Sequence, residues 1–269
     1  MLKLEKRPQQ SKKWIYLSPF LAVVITMISG GILFTILGEN PFEAIRIIFW
    51  DPLFDPNFAS YSRPQLLVKA GPLILIAIGL SFGFKAGVWN IGAEGQYIMG
   101  AIFGAGLALA FYPMESKLIF PLMIIAGALG GFLWGMIPAF LKAKLNTNEI
   151  LVSLMLVYVA ESILASVSQG LLKNPDGYGF PGSRNLQKYE SAANVEIISN
   201  SGMHWGVLFA FITVIFSYIV LTRHIQGFNI QLTGEAPRAA KFAGVNPTAN
   251  IVFCLGISGT LAASLGCSK

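Results

Sequence analysis

An all-α, polytopic transmembrane helix bundle is the fold this sequence predicts, and three observations predict it. Apolar residues make up 54% of the 269 and charged residues 12%, with a mean hydropathy of +0.63; a water-soluble domain carries about 25% charged residues. Seven apolar runs follow one another along the chain, each near the roughly 20 residues a helix needs to cross a ~30 Å hydrocarbon core. Lys and Arg gather in alternate connecting segments, which is the asymmetry that orients membrane helices. Together these exclude a soluble enzyme and a disordered chain. They also turn the net charge of +6 and pI near 9.3 into a statement about topology, so nucleic acid is not an expected partner.

The spans follow in order. The first covers residues 14–37 and contains no charge, after a basic tail of Lys3, Lys6, Arg7, Lys12 and Lys13. It is longer than the apolar region of a signal peptide and reads as an uncleaved anchor, with residues 1–13 a cytoplasmic tail and 14–269 one transmembrane domain. Residues 66–84, 96–112, 118–141, 150–171, 205–222 and 249–265 supply six more runs, the 96–112 run being short and glycine-rich. With the N-terminus inside, the inner segments hold eleven Lys/Arg against four Asp/Glu, and the outer ones six against eight. Residues 38–65, with Pro41, Pro52, Pro56 and Pro64, predict a turn-rich surface segment. In residues 172–204, Asn174-Pro175-Asp176-Gly177 and Pro181-Gly182 are turn signals, and the length allows a short helix or hairpin. Cys254 and Cys267 have no partners at metal-ligand spacing and read as packing residues.

Polar and glycine positions inside this frame are the informative ones. Between the second and third spans lie Lys85, Gly87, Asn90, Gly92, Glu94, Gly95 and Gln96. Two readings stand side by side: a cytoplasmic turn, or a broken segment at membrane depth, where irregular backbone is tolerated only against protein or a wet cavity. In the second reading Asn90, Glu94 and Gln96 face a polar solute or brace the break. Gly127, Gly131 and Gly135 recur every four residues, a small-residue stripe for close helix packing. Glu161 sits within an apolar run, with Tyr158, Ala165, Ser168 and Gln169 on its side of the helix. An ionisable group there faces a cavity or a partner, and a Lys69–Glu161 pair is the structural alternative. In the long inner segment 223–248, Gly234 and Gly244 bracket a two-turn, small-residue helix that includes Glu235, Ala236, Pro237, Arg238, Ala239 and Ala240, with Phe242 as an apolar anchor. Too short to stand alone in water, it is expected to dock on something. His204 and His224 are isolated, and there is no His-Glu-x-x-His, Gly-x-Ser-x-Gly or Walker-type motif, so catalysis in this chain is not expected.

Three of these segments together resemble the permease subunit of ABC importers, in the branch that takes simple sugars, ribose and nucleosides. They are Phe84 through Gln96, similar to the signature of nucleoside-type permeases; Asn148-Glu149-Ile150 through Met155-Leu156-Val157-Tyr158-Val159-Ala160; and Gly234-Glu235-Ala236 through Phe242-Ala243-Gly244-Val245-Asn246. The resemblance implies import of a nucleoside or simple sugar through the cytoplasmic membrane, with Asn90, Glu94, Gln96, Tyr158 and Glu161 as pathway candidates. It implies that Gly234, Glu235, Ala236, Arg238, Ala239, Ala240, Phe242 and Gly244 couple to an ATPase subunit, which would carry the ATP and Mg while this chain holds no cofactor. A second permease subunit and an extracytoplasmic solute-binding protein complete the expected assembly. Many members of the family carry Asn at the position of Val157, a departure that separates this chain's solute specificity from a direct carry-over. Such permeases are also longer, so a copy lacking C-terminal helices is expected. Rival readings are a proton- or ion-coupled secondary transporter using Glu161, and a non-functional truncated permease.

Overall fold

The computed structural model describes residues 11–175, 177, 182–189, 191–193, 197 and 202–264. Lys3, Lys6, Arg7, Asp176, Pro181 and Cys267, which entered the readings above, lie outside the described residues. The chain divides into two compact units, residues 1–64 and 65–269.

In the first unit, α1 (Lys12–Ile36) is a single long apolar helix. It ends at Gly38, whose φ of +83° is a conformation glycine adopts without a steric penalty. Two residues later Asn40 caps the next helix, its side-chain oxygen accepting from the backbone N–H of Phe42 and Glu43. There follow α2 (Pro41–Ile45), a π-helical turn (Arg46–Trp50) and α3 (Asp51–Phe54) without a break. This corrects the reading of residues 38–65 as mainly turns. Pro41 occupies the first turn of α2, where the missing N–H costs nothing and the fixed φ suits the start, and Pro52 lies within the continuing helical run. Pro41 therefore begins a helix here, while Pro56 lies in the turn that follows the run.

The second unit contains most of α4 (Ala59–Lys85), then α5 (Ala93–Ala110), α6 (Ile119–Leu145), α7 (Glu149–Gln169), α8 (Trp205–Arg223), α9 (Ile225–Glu235), α10 (Pro237–Phe242) and α11 (Pro247–Ser264). A helix occupies each of the seven apolar runs. Among the described residues, six helices are long and apolar enough to cross a membrane; α5 falls outside that group because its first turn carries Glu94 and Gln96. Between residues 172 and 204 the described residues show one 3-10 turn, Leu186–Lys188.

The core is built by backbone contact more than by large side chains. A β-carbon on Gly100 would stand 2.5 Å from Ala263 Cβ, one on Gly135 would stand 3.0 Å from the Leu255 carbonyl, and one on Gly131 would run into Ala263 and the Gly259 carbonyl. So α5 and α6 both receive α11 at their glycines, with Gly127 buried on the same α6 stripe. Gly79 of α4 meets the Ser258 backbone in the same manner. Helices in lipid gain nothing from hiding apolar surface, so close van der Waals approach of this kind holds them together. Phe82, Ala86, Val88, Ala139, Ile230, Cys254 and Leu255 form a buried cluster, which ties α9 to α4, α6 and α11.

Candidate functional site

The α4–α5 connection, residues 86–92, is the centre of the site. Its backbone is irregular, and the protein itself satisfies it. Asn90 is 3% exposed and Gln96 1%. The two amides pair reciprocally: Asn90 Nδ2 donates to Gln96 Oε1 at 2.8 Å, and Gln96 Nε2 donates to Asn90 Oδ1 at 3.3 Å. The second Asn90 N–H goes to Ser258 Oγ of α11 at 2.8 Å, and Asn90 Oδ1 also accepts from the Gly92 N–H at 3.1 Å. Every donor and acceptor position of that amide is therefore used. One residue on, the Ile91 N–H donates to Ser153 Oγ of α7 at 3.2 Å.

Glycines let neighbouring chains come this close. A β-carbon on Gly92 would lie 2.8 Å from the Ser153 carbonyl, and one on Gly95 would lie 3.1 Å from Val157 Cα, so the start of α5 rests directly on α7. Valine at 157 sits in this packed seam and is itself buried. The end of α7 is secured by Asn148, which caps it by accepting from Ile150 and Leu151 N–H, and by a 2.9 Å ion pair between Lys142 of α6 and Glu149.

On its other side the same connection meets α9. Gly87 has φ +74°, a β-carbon there would stand 3.3 Å from Gly234 Cα, and one on Gly234 would run into the Lys85 carbonyl. Lys85 Nζ donates to the Leu221 carbonyl at 3.2 Å, covering the end of α8. A second polar cluster anchors α9 to α11: Asn250 Nδ2 donates to Thr233 Oγ1 at 2.9 Å and to the Asn229 carbonyl at 3.2 Å, while its Oδ1 accepts from Gln226 Nε2 at 3.2 Å.

The structure thus places the sequence-selected residues in three groups. Asn90 and Gln96 are together and buried. Glu94 is on the exposed side of the same turn. Tyr158, 60% exposed, and Glu161 lie on an open face of α7, and neither touches the amide pair. Glu161 has no hydrogen-bond or ion-pair partner among the described residues, Lys69 included. The coupling segment also differs from the expected single helix. Gly234 and Glu235 belong to α9; Ala236 breaks the chain; α10 then carries Arg238, Ala239, Ala240 and Phe242 and is closed by Gly244 at φ +78°. Ala240 is buried, and Phe242 is 94% exposed. Gly234 sits inside a helix because the close contact with Gly87, and no turn, requires it there.

Sequence reasoning missed Ser153, Ser258, Thr233 and Asn250, since isolated hydroxyls and amides in apolar runs carry no motif. Both histidines have structural work: Nδ1 of His204 accepts from the Gly206 N–H at 3.2 Å and that of His224 from the Gln226 N–H at 3.1 Å, capping α8 and α9.

Known proteins place this arrangement. The chain is 30% identical to the glucose ABC transporter permease protein TsgB13 of Haloferax volcanii over 95% of its own length and 68% of the relative's. It is 29% identical to the nucleoside ABC transporter permease protein NupB of Lactococcus lactis subsp. cremoris, covering 91% of this chain and 68% of that one. With the guanosine ABC transporter permease protein NupP of Bacillus subtilis the identity is 25%, over 93% and 70%. No solved structure matches the chain. The family described as branched-chain amino acid transport system / permease component matches residues 63–268, a stretch that takes in the amide pair, the α7 face and α9–α10. This chain is a multi-pass membrane protein and belongs to that permease family.

Proposed function

We propose that this chain is the membrane-spanning subunit of an ATP-driven importer for a nucleoside or simple sugar in the cytoplasmic membrane. The observation that carries the proposal is the family match across residues 63–268, which spans the helices that build the site. Relatives named for glucose, nucleoside and guanosine transport support an uncharged, hydroxyl-bearing solute. ATP and Mg belong to a separate ATPase subunit, a solute-binding protein delivers the cargo from outside, and this chain transports without catalysing a reaction of its own.

In this reading α10 is the ATPase-facing element. Buried Ala240 holds it to the bundle, and exposed Phe242, with Arg238 and Lys241 also exposed, is the anchor offered to the partner. Movement of α9 and α10 reaches the bundle through the Gly234–Gly87 backbone contact, and from there through Asn90 to α5 and α11. Asn90 acts as a clasp and Gln96 as its paired partner, since all four hydrogen-bonding positions of Asn90 are consumed inside the protein. Solute contact falls to Tyr158, Glu161 and Glu94. A carboxylate in mid-span facing lipid is costly, so the open face of α7 is expected to meet a water-lined path closed by a second permease subunit.

Proteoliposomes containing the chain, its ATPase and its binding protein test the proposal. Uptake of labelled nucleoside or sugar should require ATP inside the vesicle. Uptake by this chain alone, driven by a proton gradient and abolished by Glu161→Gln, would replace it with a secondary-transport reading.

A further inference from the structure

Residues 41–54 are a continuous run of helix in which none of the residues is buried. Phe42, Ile47, Ile48, Phe49, Trp50 and Phe54 all stand exposed, Phe42 at 83%. Against them stand only three charged side chains, Glu43, Arg46 and Asp51, two of which share a side through their ion pair. A contiguous apolar surface of this kind does not face water in a soluble protein, and a wide apolar surface beside a narrow charged strip suits a helix lying in a membrane boundary.

Two observations indicate what covers it. A β-carbon on Gly31 of α1 would stand 3.6 Å from Pro41 Cβ and 3.7 Å from Ile45 Cδ1, so α2 folds back beside α1. Gly31 lies five residues before the end of α1, about 8 Å at 1.5 Å per residue. The apolar surface of residues 41–54 is therefore continuous with that of a helix long and apolar enough to span the bilayer, and it starts below that helix's end. At about 21 Å the run itself is too short to cross. Its charges fit the same place. The π-helical turn lets the Asp51 N–H donate to the Arg46 carbonyl and sets Arg46 Nε 3.2 Å from Asp51 Oδ1, so two of its three charged side chains neutralise one another.

We propose that residues 41–54 are a membrane-immersed helix lying in the boundary between lipid headgroups and acyl chains, with Phe49, Trp50 and Phe54 as its aromatic anchors. The occupant of its exposed surface is lipid. This inference stands on the first unit alone and does not depend on the transport reading.

Spin labels on single cysteines test it, in the full chain reconstituted in liposomes with Cys254 and Cys267 replaced by alanine. At Phe49→Cys and Ile48→Cys, dissolved oxygen should relax the label several-fold more than a water-soluble nickel chelate. At Glu39→Cys and Asn57→Cys the order should reverse. Nickel access at Phe49→Cys and Ile48→Cys equal to that at Glu39→Cys would show a water-facing segment and overturn the proposal. Protection of both positions from oxygen and nickel alike would overturn it too, by showing that protein and not lipid covers the face.

Discussion

Two sets of polar residues lie in the same few helices under opposite conditions. Around residues 86–96, Asn90, Gln96, Ser153 and Ser258 are buried, and every hydrogen-bonding position of Asn90 is engaged. On α7, one face away, Tyr158 and Glu161 are open. Polarity in an apolar run is therefore two signals that look alike in one dimension. A buried amide whose partners are all protein is part of the frame, because removing it strands its partners in a low dielectric. An open carboxylate in a span contributes nothing to the frame, and its cost has to be met by what it faces.

Substitutions separate the two. Asn90→Leu should have the largest effect, a loss on the order of 3 kcal/mol from stranding the Gln96 amide and the Gly92 N–H, read as a lower unfolding temperature of the purified full chain. An unchanged unfolding temperature would break the contrast. Gly234→Val should cost about 2 kcal/mol by forcing α9 away from the Lys85 carbonyl. It should also lower the uptake obtained per ATP hydrolysed, where a purely structural glycine would scale both down together. Ser258→Ala removes one of the four Asn90 hydrogen bonds, for about 1 kcal/mol in the same unfolding assay. Glu161→Gln should leave the unfolding temperature where it is and change uptake. If it destabilises the chain as Asn90→Leu does, the α7 face belongs to the frame after all.

Much of the fold was legible because lipid imposes a simple rule: a spanning helix must be about 20 residues long and apolar, and seven runs obey it closely enough to be read off the chain. The stripe of Gly127, Gly131 and Gly135 was legible for a related reason, since four-residue spacing aligns small residues on one helix face. The first unit was less legible. Pro41 and Pro52 punctuate a turn or start a helix with equal ease, and the sequence alone does not choose. Gly234 was misplaced as a helix boundary for a similar reason, because what makes glycine necessary there is a neighbour more than 140 residues earlier in the chain.

Residue types and spacing, by themselves, determined the medium, the succession of helices and the family to which the chain belongs, because each depends on local composition or on short ordered motifs. Only the tertiary structure decided which polar groups are spent and which are free. Asn90 and Glu161 are both polar residues in an apolar chain. One lies 2.8 Å from Ser258, a residue 168 positions away, and the other has no partner among the described residues. Hydrogen-bond satisfaction is a property of distances between segments, and no pattern along a single segment contains those distances.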